Sequence, residues 1–265
     1  MPHVTSKDGT RIGYSVTGSG PALVLVDGAL CWRESGPSGP LANQLKGFFS
    51  VYTYDRRGRG ESGNTKPFAP EREIEDLEAV IGAAGGRAAV FAISSGVLLA
   101  LAAADVLGPE RITRMVLYEA PIYTDQSHRV DPTYVTRLSE LIARGDNAGA
   151  IRLFMRNVGV PGFGIVMMQL MGVIRKLAPV APTLAHDTAF CSPFWTSEPP
   201  PKGTWANATM PILNVGGGKS DPWMQNAQVA ISKVLPNATH RPLPGQNHMV
   251  APEAIAPMIK EFLAP

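Results

Sequence analysis

The sequence lacks an excess of either charge. Its 24 lysines and arginines face 22 aspartates and glutamates, which gives a formal net charge of +2, and only 17% of its 265 residues are charged. Nucleic acids and anionic membranes attract proteins that carry a strong positive excess. We therefore expect neither a nucleic acid nor a membrane among the partners, and composition leaves the oligomeric state open.

Cysteine is also scarce, and long apolar runs are absent. The two cysteines, Cys31 and Cys191, lie far apart and lack metal-ligand spacing, so we expect free thiols. No motif indicates a metal or a cofactor. The first residues are polar, without the apolar core of a signal peptide, and no stretch is long and apolar enough to span a bilayer. These features favour a cytoplasmic protein.

What the chain does contain is an alternation of strand-like and helix-like segments. Apolar runs of strand length occur at 22–26, 50–54, 88–93 and 112–118, and segments with helical spacing of apolar residues separate most of them. This alternation predicts an α/β fold with a mostly parallel central sheet and helices on both faces.

The pattern changes over residues 122–206, where the strand runs disappear and helices are predicted at 134–143, 148–157 and 163–177. We predict a helical lid here, inserted into a core formed by 1–121 and 207–265. Soft apolar side chains suit a pocket for an apolar small molecule, although such residues more often pack a lid onto its core. The predicted pocket residues are Trp32, Met155, Met167, Met168 and Met171.

The run Ala92-Ile93-Ser94-Ser95-Gly96 joins a predicted buried strand to a predicted helix. A strand that turns sharply into a helix around a serine is the geometry of a nucleophile elbow, and it needs small residues two positions before and after the nucleophile. Ser94 has Ala92 and Gly96 at those positions, whereas Ser95 has the bulky Ile93 and Val97. Ser94 is therefore the candidate nucleophile.

Two further polar residues, Asp221 and His248, follow predicted strands near the C-terminus. A serine hydroxyl needs an adjacent base, and an imidazole with a pKa of about 6.5 can take its proton and return it. A carboxylate orients that imidazole. Because functional residues of open α/β sheets gather just past the ends of strands, we predict that Ser94, Asp221 and His248 meet in one site.

Five motifs occur in order along the chain, each just after a predicted strand. They are Asp27-Gly28, the turn at 54–62, the elbow at 92–96, Ser220-Asp221-Pro222, and the loop at 244–248. Together they resemble the lid-bearing esterase, lactonase and cofactor-free peroxidase branch of the α/β-hydrolase superfamily.

The resemblance implies roles for individual residues. Ser94 would be the nucleophile, His248 the base and Asp221 the acid. The backbone N–H groups of Ala29 and Ser95 would hold the oxyanion. Some family members carry the acid after the sixth strand, where this chain has Glu119, but the Asp-Pro sequence favours Asp221.

Asp27 departs from the family pattern, which has histidine before this glycine. A carboxylate aimed at the oxyanion would oppose its stabilisation. We therefore expect Asp27 to turn away and hydrogen-bond loop backbone, as aspartate commonly does before glycine. The alternative is that Asp27 signals altered chemistry.

The resulting hypothesis is a serine hydrolase that cleaves an ester, lactone or thioester of a mostly apolar small molecule through an acyl-enzyme. One alternative uses the same triad for C–C bond hydrolysis or cofactor-free perhydrolysis. A second alternative is a ligand-binding protein of this fold without turnover.

Overall fold

A computed structural model describes residues 2–128 and 131–264 of the chain. Its described residues form one eight-stranded sheet in the order β1-β2-β4-β3-β5-β6-β7-β8. β1 and β2 are antiparallel to their neighbours, and the pairs from β4 to β8 are parallel. The strands are β1 His3–Thr5, β2 Arg11–Thr17, β3 Ala22–Val26, β4 Ser50–Tyr54, β5 Ala88–Ile93, β6 Ile112–Tyr118, β7 Ile212–Gly217 and β8 Ala238–Leu243.

Helices cover both faces of the sheet. The core helices are α1 Ser38–Leu45, α2 Pro70–Ala83, α3 Ser95–Arg111, α9 Pro222–Val234 and α10 Pro252–Leu263. Alternate residues of the central strands point to opposite faces, as the strand period of two requires. Val90 and Ala92 of β5 pack with α2, α3 and α9, whereas Phe91 and Ile93 pack with α1 and α10. The predicted α/β fold with its mostly parallel sheet is thereby confirmed.

The segment between β6 and β7 is helical in its described part. It contains α4 Tyr134–Ala143, α5 Asn147–Asn157, α6 Gly162–Leu170, α7 Val173–Leu177 and α8 Leu184–Cys191, with 3₁₀ helices at Ala178–Thr183 and Ser192–Phe194. We call residues 122–206 the inserted segment. Its residues Arg129 and Val130 lie outside the described residues. The division of the chain into a core and a lid at these boundaries stays a prediction.

Two features of this segment differ from the sequence prediction. The single helix expected at 163–177 is divided into α6 and α7 by Gly172, whose φ of 73° is incompatible with a continuous right-handed helix. Helix α8 follows Pro179 and Pro182 and was not predicted. In the described ranges no single helix is long and apolar enough to cross a membrane. One pair bent by 80°, Gly162–Leu170 with Val173–Phe194, passes that test by length and composition together.

Candidate active site

Ser94 lies at the sharp turn between β5 and α3. Its φ of 58° and ψ of −133° are a strained conformation for a residue with a side chain. The turn is possible because its neighbours are small: a Cβ added to Gly96 would lie 2.6 Å from the carbonyl oxygen of Val26 and 2.7 Å from that of Asp27. Ser95, by contrast, is the first residue of α3. The structure therefore places Ser94 at the predicted elbow.

His248 lies in the loop between β8 and α10 and bridges two side chains. Its Nε2 is 3.2 Å from Ser94 Oγ, and its Nδ1 is 2.9 Å from Glu119 Oε2. The hydroxyl of Tyr118 fixes this loop by donating to the carbonyl of Asn247 at 2.6 Å. A serine hydroxyl, an imidazole and a carboxylate thus stand in series, which is the arrangement that serine nucleophiles require.

Glu119 directly follows β6 and is fully buried. Its Oε1 accepts hydrogen bonds from the backbone N–H of Gly217 at 2.6 Å and from the Ser220 hydroxyl at 2.5 Å. Its Oε2 is left for His248. Both oxygens therefore have fixed partners, and the carboxylate can hold the imidazole in one orientation and one tautomer.

The prediction that Asp221 is the partner of His248 is wrong in this structure. Asp221 is the exposed N-cap residue of α9. Its charge acts on His128: burial lowers the pKa of His128, and Asp221 raises it by a smaller amount. The Asp-Pro sequence is explained by the start of a helix, with proline in the first turn. The sequence also pointed to Glu119, because this acid directly follows β6, and β6 pairs with β5, the strand that leads to Ser94.

The loop after β3 lies against the elbow. A Cβ added to Gly28 would stand only 2.8 Å from Ser94 Cβ, so glycine is required for this approach. Ala29 follows in the same loop, and Ser95 is the first residue of α3. The first amides of a helix have no acceptor within it, and the helix dipole favours negative charge there. The amides predicted to hold an oxyanion, those of Ala29 and Ser95, therefore belong to segments that border Ser94.

Asp27 is turned toward α1. Its Oδ1 accepts a hydrogen bond from the Ser38 hydroxyl at 2.7 Å, and its Oδ2 lies beside Gly36, where an added Cβ would be 2.9 Å away. The carboxylate is 3% exposed. The expected bond to loop backbone is therefore replaced mainly by a bond to a side-chain hydroxyl at the start of a helix. The carboxylate is engaged with Ser38.

Two buried arginines from the turn after β4 hold the backbone of the Gly28 loop. Arg56 Nη1 donates to the carbonyl of Asp27 at 3.2 Å, and Arg59 Nη1 donates to the carbonyls of Gly28 at 2.6 Å and Cys31 at 3.2 Å. Each arginine is 1% exposed. From the sequence, residues 54–62 were interpreted only as a turn, and no contact was predicted for these two side chains.

The same arginines bind Asp187 of α8. Asp187 Oδ1 accepts from Arg56 and from the Ser95 hydroxyl, both at 2.7 Å, and its Oδ2 accepts from Arg59 at 2.7 Å. Burial would raise the pKa of Asp187, but the charges of Arg59 and Arg56 outweigh it and lower this pKa. Asp187 of the inserted segment is thus bonded to Ser95, next to Ser94, and to the two arginines that hold the Gly28 loop. Sequence reasoning missed it because the bonded residues are more than 90 positions apart.

The predicted pocket residues divide into two groups. Trp32, Met155 and Met168 are partly buried and pack against an apolar cluster that also includes Ala29. Met167 and Met171 are 51% and 73% exposed and do not join that cluster, so the structure does not bring them to the site. Met167 lies on the exposed side of α6, whose buried residue is Ile165, and Met171 is the C-cap residue of this helix.

Asp27 should give the stability of the protein a distinctive pH dependence. Burial raises its pKa to about 6, against the opposing effects of the Ser38 hydrogen bond and the nearby arginines. A carboxyl group with a raised pKa stabilises the fold below its unfolded pKa, and this contribution is lost as pH rises through the folded pKa. Between about pH 4 and pH 7 the wild type should therefore lose up to about 3 kcal/mol relative to Asp27→Asn. Urea unfolding of both proteins across this pH window measures the difference in their free energies of unfolding. A difference that stays constant with pH would contradict the raised pKa of Asp27.

Comparisons with known proteins agree with this architecture. A model of the alpha/beta hydrolase family matches residues 17–257. An alpha/beta hydrolase from Sphaerobacter thermophilus DSM 20745 is 42% identical, with a TM-score of 0.89 over 99% of this chain and 100% of that chain. The enol-lactonase from Burkholderia xenovorans LB400 is 20% identical, with a TM-score of 0.73 over 100% of both chains, a likeness of fold alone.

A sequence relative is more partial. The uncharacterized hydrolase YraK of Bacillus subtilis (strain 168) is 28% identical over 152 residues, which are 56% of this chain and 55% of YraK. The chain therefore spans about half the length of that relative. The family match covers most of the chain, from β2 to α10, and includes Ser94, Glu119 and His248. The expected resemblance is confirmed: the chain belongs to the alpha/beta hydrolase family.

Proposed function

We propose that this hydrolase cleaves an ester, lactone or thioester of a mostly apolar small molecule through an acyl-enzyme. The observation that carries the proposal is the position of His248, with one ring nitrogen 3.2 Å from Ser94 Oγ and the other 2.9 Å from Glu119. Glu119 takes the role that the sequence interpretation gave to Asp221.

In the first half of the reaction Ser94 Oγ attacks the substrate carbonyl while His248 Nε2 takes the hydroxyl proton. The negative charge that develops on the carbonyl oxygen is held by the amides of Ala29 and Ser95. Glu119 stabilises the imidazolium and stays ionised. Collapse of the intermediate expels the alcohol or thiol, which receives the proton from His248 and leaves an acyl-Ser94 ester.

In the second half, His248 takes a proton from a water molecule, and the resulting hydroxide attacks the acyl carbonyl. The bond to Ser94 Oγ breaks, the carboxylic acid leaves, and the proton returns to Ser94. The partly buried Trp32, Met155 and Met168 pack against the same apolar cluster as Ala29, and apolar surface there favours an apolar acyl or alcohol group. In this proposal the inserted segment acts as a lid over the site.

Covalent labelling tests the nucleophile. A fluorophosphonate probe should add one label per wild-type chain, and peptide mass analysis should place it on Ser94. Ser94→Ala should take no label. Ser95→Ala should still be labelled at Ser94, which decides between the two neighbouring serines. Folded wild-type protein that resists the probe, or label that persists in Ser94→Ala, would count against the mechanism.

The alternatives make different use of the same groups. Hydrolysis of a series of p-nitrophenyl esters by the wild type, abolished in Ser94→Ala, supports acyl transfer to water. Turnover confined to a ring-cleavage diketone, or to acetate with peroxide, would favour C–C hydrolysis or perhydrolysis. A ligand-binding role without turnover was suggested only by Asp27, whose carboxylate is engaged with Ser38.

A further inference from the structure

One face of α6 is apolar and exposed. Five side chains at positions i, i+3, i+4, i+7 and i+8 lie along it, and this spacing puts them on one side of a helix. Their exposed fractions run from 51% to 76%. We call this set the α6 stripe: Phe163, Val166, Met167, Leu170 and Met171.

An exposed stripe of this kind is unusual for a surface helix, which normally turns its apolar face inward. In α6 the buried residue is Ile165, and the rest of the helix points largely outward. Single exposed apolar residues are ordinary, but a contiguous group indicates a surface that is covered by something else.

The charges around the stripe are mainly positive. Residues 147–186 contain no aspartate or glutamate. Arg152 donates to the side chain of Gln169 on α6 at 3.2 Å and also pairs with Asp146 at 4.0 Å, so its guanidinium lies beside α6 with one carboxylate next to it. Arg175 and Lys176 lie on α7, just after the stripe ends. The net charge of the whole chain hides this local excess of cations.

The sign of these charges decides between two occupants. In a symmetric dimer formed through the stripe, the same patch of both copies would meet, and the cations of one copy would face those of the other. Like charges brought together in an interface oppose association. An anionic surface would be attracted by the same cations.

We propose that the α6 stripe docks this protein on an anionic lipid surface. The apolar side chains enter the boundary between headgroups and acyl chains, and Arg152, Arg175 and Lys176 bind lipid phosphates. With nine residues, α6 is about 14 Å long, less than half of a bilayer core of about 30 Å. It therefore lies in the plane of the interface, as amphipathic anchors do.

Vesicle flotation of the full chain tests this proposal. The wild type should bind vesicles of phosphatidylcholine with phosphatidylglycerol, bind pure phosphatidylcholine at least tenfold more weakly, and dissociate as salt is raised. Leu170→Glu/Met171→Glu should weaken binding to the anionic vesicles tenfold or more. The matched control is Val106→Glu, which changes an apolar residue of α3 that is 68% exposed and should bind like the wild type.

Three results would overturn the proposal. The first is a wild type that binds neither vesicle type, and the second is a stripe variant that binds as tightly as the wild type. The third is a wild type that elutes as a dimer and a stripe variant that elutes as a monomer. Circular dichroism checks that the variants fold. The salt and lipid dependence of the wild type decides the matter even if the double variant does not fold, and neither readout depends on catalysis.

Discussion

Glu119→Gln should lower kcat by about 10⁴-fold, the scale seen when the carboxylate of a serine-histidine-acid triad is replaced by an amide. The amide N–H can donate to His248 Nδ1, and the proton of the neutral imidazole then sits on Nε2. In that tautomer Nε2 cannot accept the proton of Ser94. The imidazolium that forms during attack also loses its counter-charge. KM should change far less than kcat, because Glu119 is buried behind the histidine.

Asp221→Asn is the matched control for this prediction. It makes the same change of charge at the residue that the sequence favoured, and we expect kcat within about threefold of the wild type, as for a surface change away from the site. Steady-state assays with an activated ester measure both variants. The assignment of Glu119 is reversed if Asp221→Asn is the variant that loses activity, provided that both proteins give native circular dichroism spectra.

Asp187→Asn should destabilise the protein by about 3–5 kcal/mol, because it removes one partner of a buried ionic cluster. Arg56 keeps its ion pair with Glu73, but the buried Arg59 loses its carboxylate partner. Arg56, Arg59 and Asp187 are each 4% exposed or less, so water cannot solvate the guanidinium that loses its partner. The neutral side chain also loses one of its two acceptor oxygens. Urea unfolding measures the change in the free energy of unfolding.

The same substitution should lower kcat by about 10- to 100-fold with a smaller effect on KM. The two arginines that bind Asp187 also hold the carbonyls of Asp27 and Gly28, so a shift of the cluster displaces the loop of the proposed oxyanion hole. A displacement of about 1 Å is enough for a loss of this size. A variant that is destabilised but keeps its full kcat would show that Asp187 supports the fold and has no positioning role.

The control for Asp187 comes from the same inserted segment. Glu140 forms an exposed ion pair with Arg144, and its side chain is 55% exposed. Exposed pairs of this kind contribute about 0–1 kcal/mol. Glu140→Gln should therefore change neither the free energy of unfolding nor kcat appreciably.

The fold was predictable where burial imposes a simple pattern on the sequence. The strands Ala22–Val26 and Ala88–Ile93 agree with their predicted bounds because both of their faces are covered and their residues are almost all apolar. The strand His3–Thr5 was not predicted, since three residues at a sheet edge give too little alternation. Helix α8 was missed because its buried residues include His186, Asp187 and Thr188, which mask its apolar face.

The site was predictable as far as it depends on local geometry. Ser94 follows from the small residues around a sharp turn, and His248 from its place after the last strand. The acid and the ionic cluster depend on distances across the fold. Arg56 and Asp187 are 131 residues apart, and no local pattern relates them. One sequence offered two acids after two neighbouring strands, and only the fold decides which one reaches the imidazole.

The position of Glu119 after β6 also separates the acid from the turn that leads into α9. The end of β7 and the turn after it support the acid, through the amide of Gly217 and the hydroxyl of Ser220. In the proposed mechanism the residues that follow, Asp221 and Trp223, take no part in proton transfer. Substitutions at these two positions should therefore leave the contacts of His248 with Ser94 and Glu119 in place, and a library directed at them should retain active variants.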